Sequence, residues 1–282
     1  MARVFSHGLE RFRRRYHPLH QVRRFPPARW VLHRIDRLWT IRIQGIPHPV
    51  HLWLGRNLGT VLSRGLGEER EERELLIGLA RANMCQTFWD VGTNYGLFTF
   101  SLRAAVPTLK VEAFEPDPDY VVLLMETLSN HGADRVRVHA VALSDREGTA
   151  RFERDLLTGT TGGLVEASGR SARASEPQWN SRVIEVDAST MDAESAKLGM
   201  PDLVKIDVEG AELAALRGGY RTLRDHKPIL LLECTHKQDE VRRLLEDLGY
   251  EVRDPRCATV SIAGPGMPFM ALAIIPGLHR LG

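Results

Sequence analysis

From Thr87 onward the chain alternates short apolar runs with stretches of helical spacing, and this alternation limits the fold more than any other feature. Thr87–Val91, Lys110–Phe114, Arg135–Leu143, Leu203–Val208 and Pro228–Glu233 read as strands. Between them Asn94–Ala105, Pro118–His131, Gly210–Leu216 and Lys237–Leu248 read as helices, stopped by Pro107, Gly132, Gly218-Gly219 and Gly249. Strands separated by helices pair in parallel, so the expected fold is α/β, doubly wound around a mostly parallel sheet. Segment 147–187 is less regular. Thr149–Arg154 and Arg182–Val186 are candidate strands, the loop Thr158–Ser175 between them reads either as a cover for the ligand site or as a surface insertion, and Asp187 and Asp192 read as turn residues. Residues 257–278 carry no charge and are long enough to cross a bilayer. Gly264, Pro265, Gly266 and Pro268 break them into Ala258–Ala263 and Phe269–Ile275, which predicts a buried antiparallel hairpin and no transmembrane segment.

Charge divides the chain differently. Residues 1–60 hold 12 Arg against one Asp and one Glu, a net +10; the remainder holds 26 basic and 34 acidic residues, a net −8. Three segments are expected: a basic extension over 1–36, a hairpin and helix over 37–82, and the sheet domain over 83–282. The hairpin spans 39–54 about Gly45-Ile46-Pro47, and the helix over 68–82 opens on acidic residues, as suits a helix N-terminus. A basic extension can meet an anionic polymer or a membrane surface, or simply be solvated. No apolar run follows its charges, so it does not read as a signal peptide. Cys85, Cys234 and Cys257 lack metal-site spacing, and a reducing, cytoplasmic setting is expected, with peripheral membrane contact left open by the extension.

The first strand of the alternation ends in Asp90-Val91-Gly92-Thr93-Asn94-Tyr95-Gly96. Ligands of doubly wound sheets sit at the carboxyl ends of strands, where glycine lets backbone come close. Neither GxGxxG nor GxxxxGK[ST] is present, and Asp90 would repel a pyrophosphate while suiting a ligand that carries positive charge. The second strand ends in Phe114-Glu115-Pro116, 23 residues after Gly92, the position from which a carboxylate holds ribose hydroxyls. A nucleoside ligand is expected.

FWDVGTNYGLFTF, FEPDP, VKIDVEGAELAALRGG and PILLLE, in this order, resemble the FkbM family of S-adenosylmethionine-dependent methyltransferases. The resemblance covers about residues 50–275. It implies a Rossmann-like class I methyltransferase fold, a seven-stranded sheet whose last strand is antiparallel. It also implies S-adenosyl-L-methionine over Gly92–Gly96, with Glu115 on its ribose and Val141, Ala142 and Leu143 beside its adenine. The cofactor-binding candidates are therefore Asp90, Gly92, Asn94, Tyr95, Gly96, Glu115, Pro116, Val141 and Ala142.

The strand Leu203–Val208 ends with Lys205, Asp207 and Glu209 at alternate positions, which puts three charges on one face. Such charges must pair or reach a cleft. Asp207 or Glu209 is a candidate base or orienter for an acceptor hydroxyl, with Glu233 and His236 after the next strand. Asp207, Glu209 and Glu233 are hard oxygen donors, but the resemblance requires no metal and none is expected. The leading expectation is O-methylation of a hydroxyl on a sugar, polysaccharide or small metabolite. The other readings are a methyltransferase acting on nucleic acid through the basic extension, and a noncatalytic nucleoside-binding module.

Overall fold

The computed structural model describes residues 26–63, 69–131, 134–157, 159, 161–168, 181–234, 236–257 and 267–281. Helix α1 (Pro26–Ile35) leads into a hairpin of β1 (Leu38–Ile41) and β2 (Val50–Trp53), followed by helices α2 (Leu58–Ser63) and α3 (Arg70–Ala82). The alternation then runs β3 (Thr87–Val91), α4 (Leu97–Ala105), β4 (Lys110–Phe114), α5 (Pro118–His131) and β5 (Val136–His139). Next come β6 (Ala142–Leu143), β7 (Gly148–Asp155), β8 (Gly163–Leu164), a short helix α6 (Val165–Ser168) and β9 (Ser181–Ser189). Helix α7 (Met191–Leu198), β10 (Leu203–Ile206), α8 (Glu212–Gly218), α9 (Tyr220–Asp225), β11 (Ile229–Glu233), α10 (Gln238–Asp247), β12 (Glu251–Arg253) and β13 (Met270–Ile274) complete the described elements.

Seven strands form the main sheet in the order β12-β13-β11-β10-β3-β4-β5. From β11 to β5 every pairing is parallel, whereas β13 runs antiparallel to both neighbours. This is the class I methyltransferase arrangement. Its central strands are apolar because both faces are covered: Phe88, Trp89, Val204, Ile206, Leu230 and Leu231 are all buried. The chain winds outward from β3 through β4 to β5, then returns to β10 on the other side, so the switch point lies between β3 and β10. The first limb of the expected terminal hairpin, Ala258–Ala263, lies outside the described residues, and β12 supplies one antiparallel neighbour of β13.

Two expectations are corrected. The apolar run 135–143 is two strands. Val141 N–H donates to His139 O at 2.9 Å, a three-residue turn that bends the chain out of the main sheet. Beyond it β6 pairs with β9 in a second, four-stranded sheet of order β6-β9-β7-β8. Asp187 and Asp192 are not turn residues: Asp187 lies within β9, paired with Thr149 of β7, and Asp192 lies in the first turn of α7, whose N-cap Thr190 accepts Ala193 N–H at 3.1 Å. From there the Asp192 carboxylate caps another helix: it accepts the N–H groups of Arg221 and Thr222 at 3.1 and 2.8 Å and the Thr222 hydroxyl at 2.8 Å. Among the described residues, no helix is long and apolar enough to cross a membrane.

Burial opposes ionisation of Asp192, but the donors from Thr222 and Arg221 outweigh it and its pKa is lowered. A lowered folded pKa gives stability that is present above the unfolded value, about 3.9, and lost as pH falls through the folded one. Asp192→Ala is expected to cost about 1–2 kcal/mol at neutral pH, the scale of a lost helix cap. In urea unfolding that difference should shrink below pH ~4, and a difference independent of pH would contradict the capping role.

Candidate active site

Three strand ends converge at the switch point. Asp207 N–H donates to Val91 O at 2.9 Å, while Gly92 N–H and Thr93 N–H donate to Phe114 O at 3.0 and 3.2 Å. Gly92 is squeezed between β10 and β4 with φ of +78°, and a Cβ there would stand 1.8 Å from Asp207 O. No other residue fits that position. Asn94, also left-handed at φ +53°, donates its N–H to Glu115 Oε2 at 2.7 Å. The other carboxylate oxygen, Oε1, accepts Asp117 N–H at 2.9 Å. Asp117 then accepts Asp119 N–H at 2.9 Å as the N-cap of α5, with Pro118 at the first helical position. FEPDP is thus a continuous construction: a carboxylate that clasps the glycine loop, followed by the start of a helix.

Above these strand ends lies a cleft that opens to solvent, with about 690 Å³ of empty space when its open mouth is included. Gly92, Asn94, Glu115 and Pro116 line it from the ends of β3 and β4. Val141, Ala142, Phe114, Phe152 and Leu164 supply apolar wall, and Asp207, Val208 and Glu209 line it at the carboxyl end of β10, with Asp207 against Gly92. Glu115 is buried, which pushes its carboxyl up to about 7 against the opposing backbone donors of Asp117 and Asn94.

Four other candidate residues lie off the cleft. Asp90 sits beneath the glycine loop, where Oδ2 accepts the N–H and hydroxyl of Thr99 at 3.0 and 2.7 Å. The positive charge it faces is Lys205, whose Nζ lies 3.8 Å from Asp90 Oδ1 and 3.2 Å from Asp207 Oδ2. Burial works against the Lys205 ammonium, but Asp207 and Asp90 outweigh it and raise its pKa. Tyr95 turns away into a cluster with Ile41, Val50, Leu52 and Tyr120. Gly96, at φ +89°, starts α4, and a Cβ there would meet Phe100 at 2.4 Å. His236 is exposed and is not among the lining residues.

The strand β10 ends at Ile206, so the strict alternation expected through Glu209 does not hold. Glu209 adopts φ +51°, and Val208 joins the cleft wall. Carboxylate oxygens of Asp207, Glu209 and Glu233 lie within 4.8 Å of one another, concentrating negative potential at this end.

Sequence reasoning points to the 158–175 loop, which brings Gly159, Gly162 and Leu164 to the cleft, but misses Phe152 and Asp155 of β7. Phe152 and Leu164 wall the cleft, and Asp155, Gly159 and Gly162 rim it. Asn94 Nδ2 donates to Gly159 O at 2.8 Å, tying that rim to the glycine loop. Arg154 pairs with Asp117 at 2.9 Å and also with Asp119, fixing β7 to the FEPDP turn. The second acid of FEPDP and the length of the 158–175 loop are the available signals for this wall.

Residues 90–252 match the methyltransferase FkbM domain, and the chain belongs to the FkbM methyltransferase family. It is 28% identical over 200 residues to the hexuronic acid methyltransferase AglP of Haloferax volcanii, covering 70% of this chain and 66% of that protein. It is 29% identical over 143 residues to the 2-O-methyltransferase NoeI of Sinorhizobium fredii, covering 48% of this chain and 57% of that protein. The chain therefore spans just under two thirds of the first relative's length and somewhat over half of the second's. The crystal structure of methyltransferase FkbM from Methylobacillus flagellatus KT is similar with a TM-score of 0.46 at 17% identity, covering 88% of this chain and 58% of that one.

The Glu115 carboxyl is expected to titrate near 7. The folded chain holds this proton more tightly than the unfolded chain, where a glutamate titrates near ~4.3. Glu115 therefore contributes less to stability as pH rises through that window. A carbon-13 NMR titration, assigned with Glu115→Gln, reads the midpoint; a value below ~5 would show that the two backbone donors outweigh burial.

Proposed function

We propose that this chain transfers a methyl group from S-adenosyl-L-methionine to a hydroxyl of a sugar or other small acceptor. The observation that carries the reading is the mixed lining of the switch-point cleft, which combines a buried Glu115, an apolar wall, and Asp207 and Glu209 from a cluster of carboxylates. The residues fit the cofactor. Glu115 retains acceptor capacity beyond its two backbone contacts and lines the cleft, which suits ribose hydroxyls. Phe114, Val141, Ala142 and Leu164 suit the adenine. When bound, the cofactor supplies an electrophilic methyl on a positively charged sulfur.

The chain's own groups do the rest. Lys205 orients Asp207 from below and offsets its charge, which leaves Asp207 to direct an acceptor hydroxyl. Glu209, on a left-handed residue at the cleft, takes up the hydroxyl proton; Glu233 and His236 are the next candidates. An oxygen acceptor is supported by the relative named a 2-O-methyltransferase, and a sugar-acid acceptor by the one named a hexuronic acid methyltransferase.

Calorimetry is expected to show micromolar binding of the cofactor and its demethylated product, roughly −8 kcal/mol. Glu115→Ala should weaken it by about 1.5–3 kcal/mol, the scale of hydrogen bonds to a charged group. Because Glu115 also clasps two backbone N–H groups, thermal unfolding must accompany the measurement. Unchanged affinity in a folded variant would remove the ribose role, and preferential binding of NAD would sink the reading.

Tritiated-methyl transfer to cell-extract fractions then identifies the acceptor class. With that acceptor, Glu209→Gln is expected to lower turnover by about 10²–10⁴, with Asp207→Asn also slowed. Cofactor affinity should change less than about tenfold in both, the split expected of groups that serve the transfer step. Parallel loss of cofactor binding and turnover would instead make these carboxylates cofactor or folding residues.

A further inference from the structure

Helix α1 turns one apolar face inward and carries further apolar side chains on its solvent face. Ala28, Leu32 and Ile35, at spacings of four and three, are the half-buried positions. Pro27, Trp30, Val31 and Arg34, at i, i+3, i+4 and i+7, form a stripe that faces solvent, with Trp30 62% exposed. Strand β1, two residues beyond α1, also exposes Leu38, Trp39 and Thr40. Leu62 of α2 is 65% exposed. An exposed side chain of one of these kinds is ordinary; several on contiguous elements are not.

The stripe is held outward by the fold. Asp36, at the end of α1, accepts the N–H groups of Gly55 and Arg56 at 3.1 and 3.0 Å and the Arg56 Nε–H at 2.8 Å. Arg56 in turn reaches Asp119 of α5 at 2.9 Å. A Cβ on Gly55 would stand 2.3 Å from Leu32 O, so the helix lies hard against the turn that follows β2. The clamp therefore fixes the inner face of α1 and leaves Trp30 and Val31 outside.

Cations are interleaved with these apolar groups. The Arg34 guanidinium lies 4.9 Å from the centre of the Trp30 ring, and that of Arg37 lies 5.6 Å from Trp39. Arg34, Arg37 and Arg42 are exposed, and among the described residues none of them has a carboxylate partner. The same part of the chain continues into residues 1–25, which hold seven Arg against one Glu. Tryptophan rings with exposed aliphatics, flanked by arginines, match the depth profile of a bilayer surface: rings at the headgroup level, aliphatics just below, guanidinium groups on lipid phosphates. A nucleic acid would use the arginines and leave Val31, Leu38 and Leu62 unexplained.

We propose that the surface formed by α1, β1 and α2, centred on Trp30 and Trp39, docks the protein on an anionic lipid bilayer. The surface belongs to elements outside the cleft, so the proposal stands or falls separately from methyl transfer.

The test uses the full chain with vesicles of phosphatidylcholine alone or with about 30% phosphatidylglycerol, at low salt. Co-sedimentation is expected only with the anionic vesicles. The double variant Trp30→Ala/Trp39→Ala should bind them at least about tenfold more weakly, with its unfolding midpoint unchanged. Lipids brominated high on the acyl chain should quench wild-type tryptophan fluorescence, and the quenching should fall in Trp30→Phe/Trp39→Phe even where binding is retained. No binding by the full chain would overturn the proposal. So would equal binding by the alanine pair, which would assign attachment to residues 1–25. A dimer that dissociates in the alanine pair, or tryptophan-dependent binding of RNA tighter than that of vesicles, would overturn it in favour of those partners.

Discussion

One buried ammonium organises the centre of this molecule. Lys205 lies in a strand whose flanking residues, Val204 and Ile206, are fully buried, and it meets Asp90 of the neighbouring strand and Asp207 at its own strand's end. An unpaired charge in such a place would be prohibitive, and even a paired one contributes little net stability because desolvation offsets attraction. What the ammonium supplies is registration. It requires β3 and β10 to lie with their carboxyl ends level, which brings the Asp207 carbonyl against Gly92. The glycine loop, the clasp by Glu115 and the floor of the cleft all follow from that alignment.

The cleft is a joint product of two sheets. The parallel sheet supplies the floor, its charged groups and Phe114 of the wall, whereas Ala142, Phe152 and Leu164 of the wall come from the smaller one. Arg154 is the connection, since it leaves β7 to reach Asp117 and Asp119 at the start of α5. Through Asp119 the same network extends to Arg56 and Asp36, so the N-terminal elements, the cleft and the second sheet share one set of ion pairs.

Much of this frame is legible in the sequence. Thr87–Val91 and Lys110–Phe114 stand out because each strand is a short apolar run between helix signals. Pro118–His131 stands out because Asp-Pro marks a helix start. The rest depends on tertiary contacts that have no local signature. The break between β5 and β6 needs only one backbone hydrogen bond within an apolar run. The short helix α9 is capped by Asp192 from another element, and no periodicity announces a cap supplied from 29 residues away. Motif matching brings Gly92, Asn94 and Glu115 to the cleft wall, but it cannot tell that Asp90 faces a buried lysine or that Tyr95 points into the N-terminal core. Side-chain direction at a loop is set by what packs behind it.

Strand β13 runs between β11 and β12 and pairs with both, although it follows all the other described strands in the chain. During synthesis, therefore, the strand-by-strand growth of the sheet halts with the flank of β11 bare. Its row of backbone donors and acceptors stays open while the following helix and β12 emerge, and β12 itself has no partner. Unpaired strand edges of this kind recruit other chains. The nascent protein thus carries its most adhesive surface until residues 270–274 leave the ribosome and slot into a gap already framed on both sides.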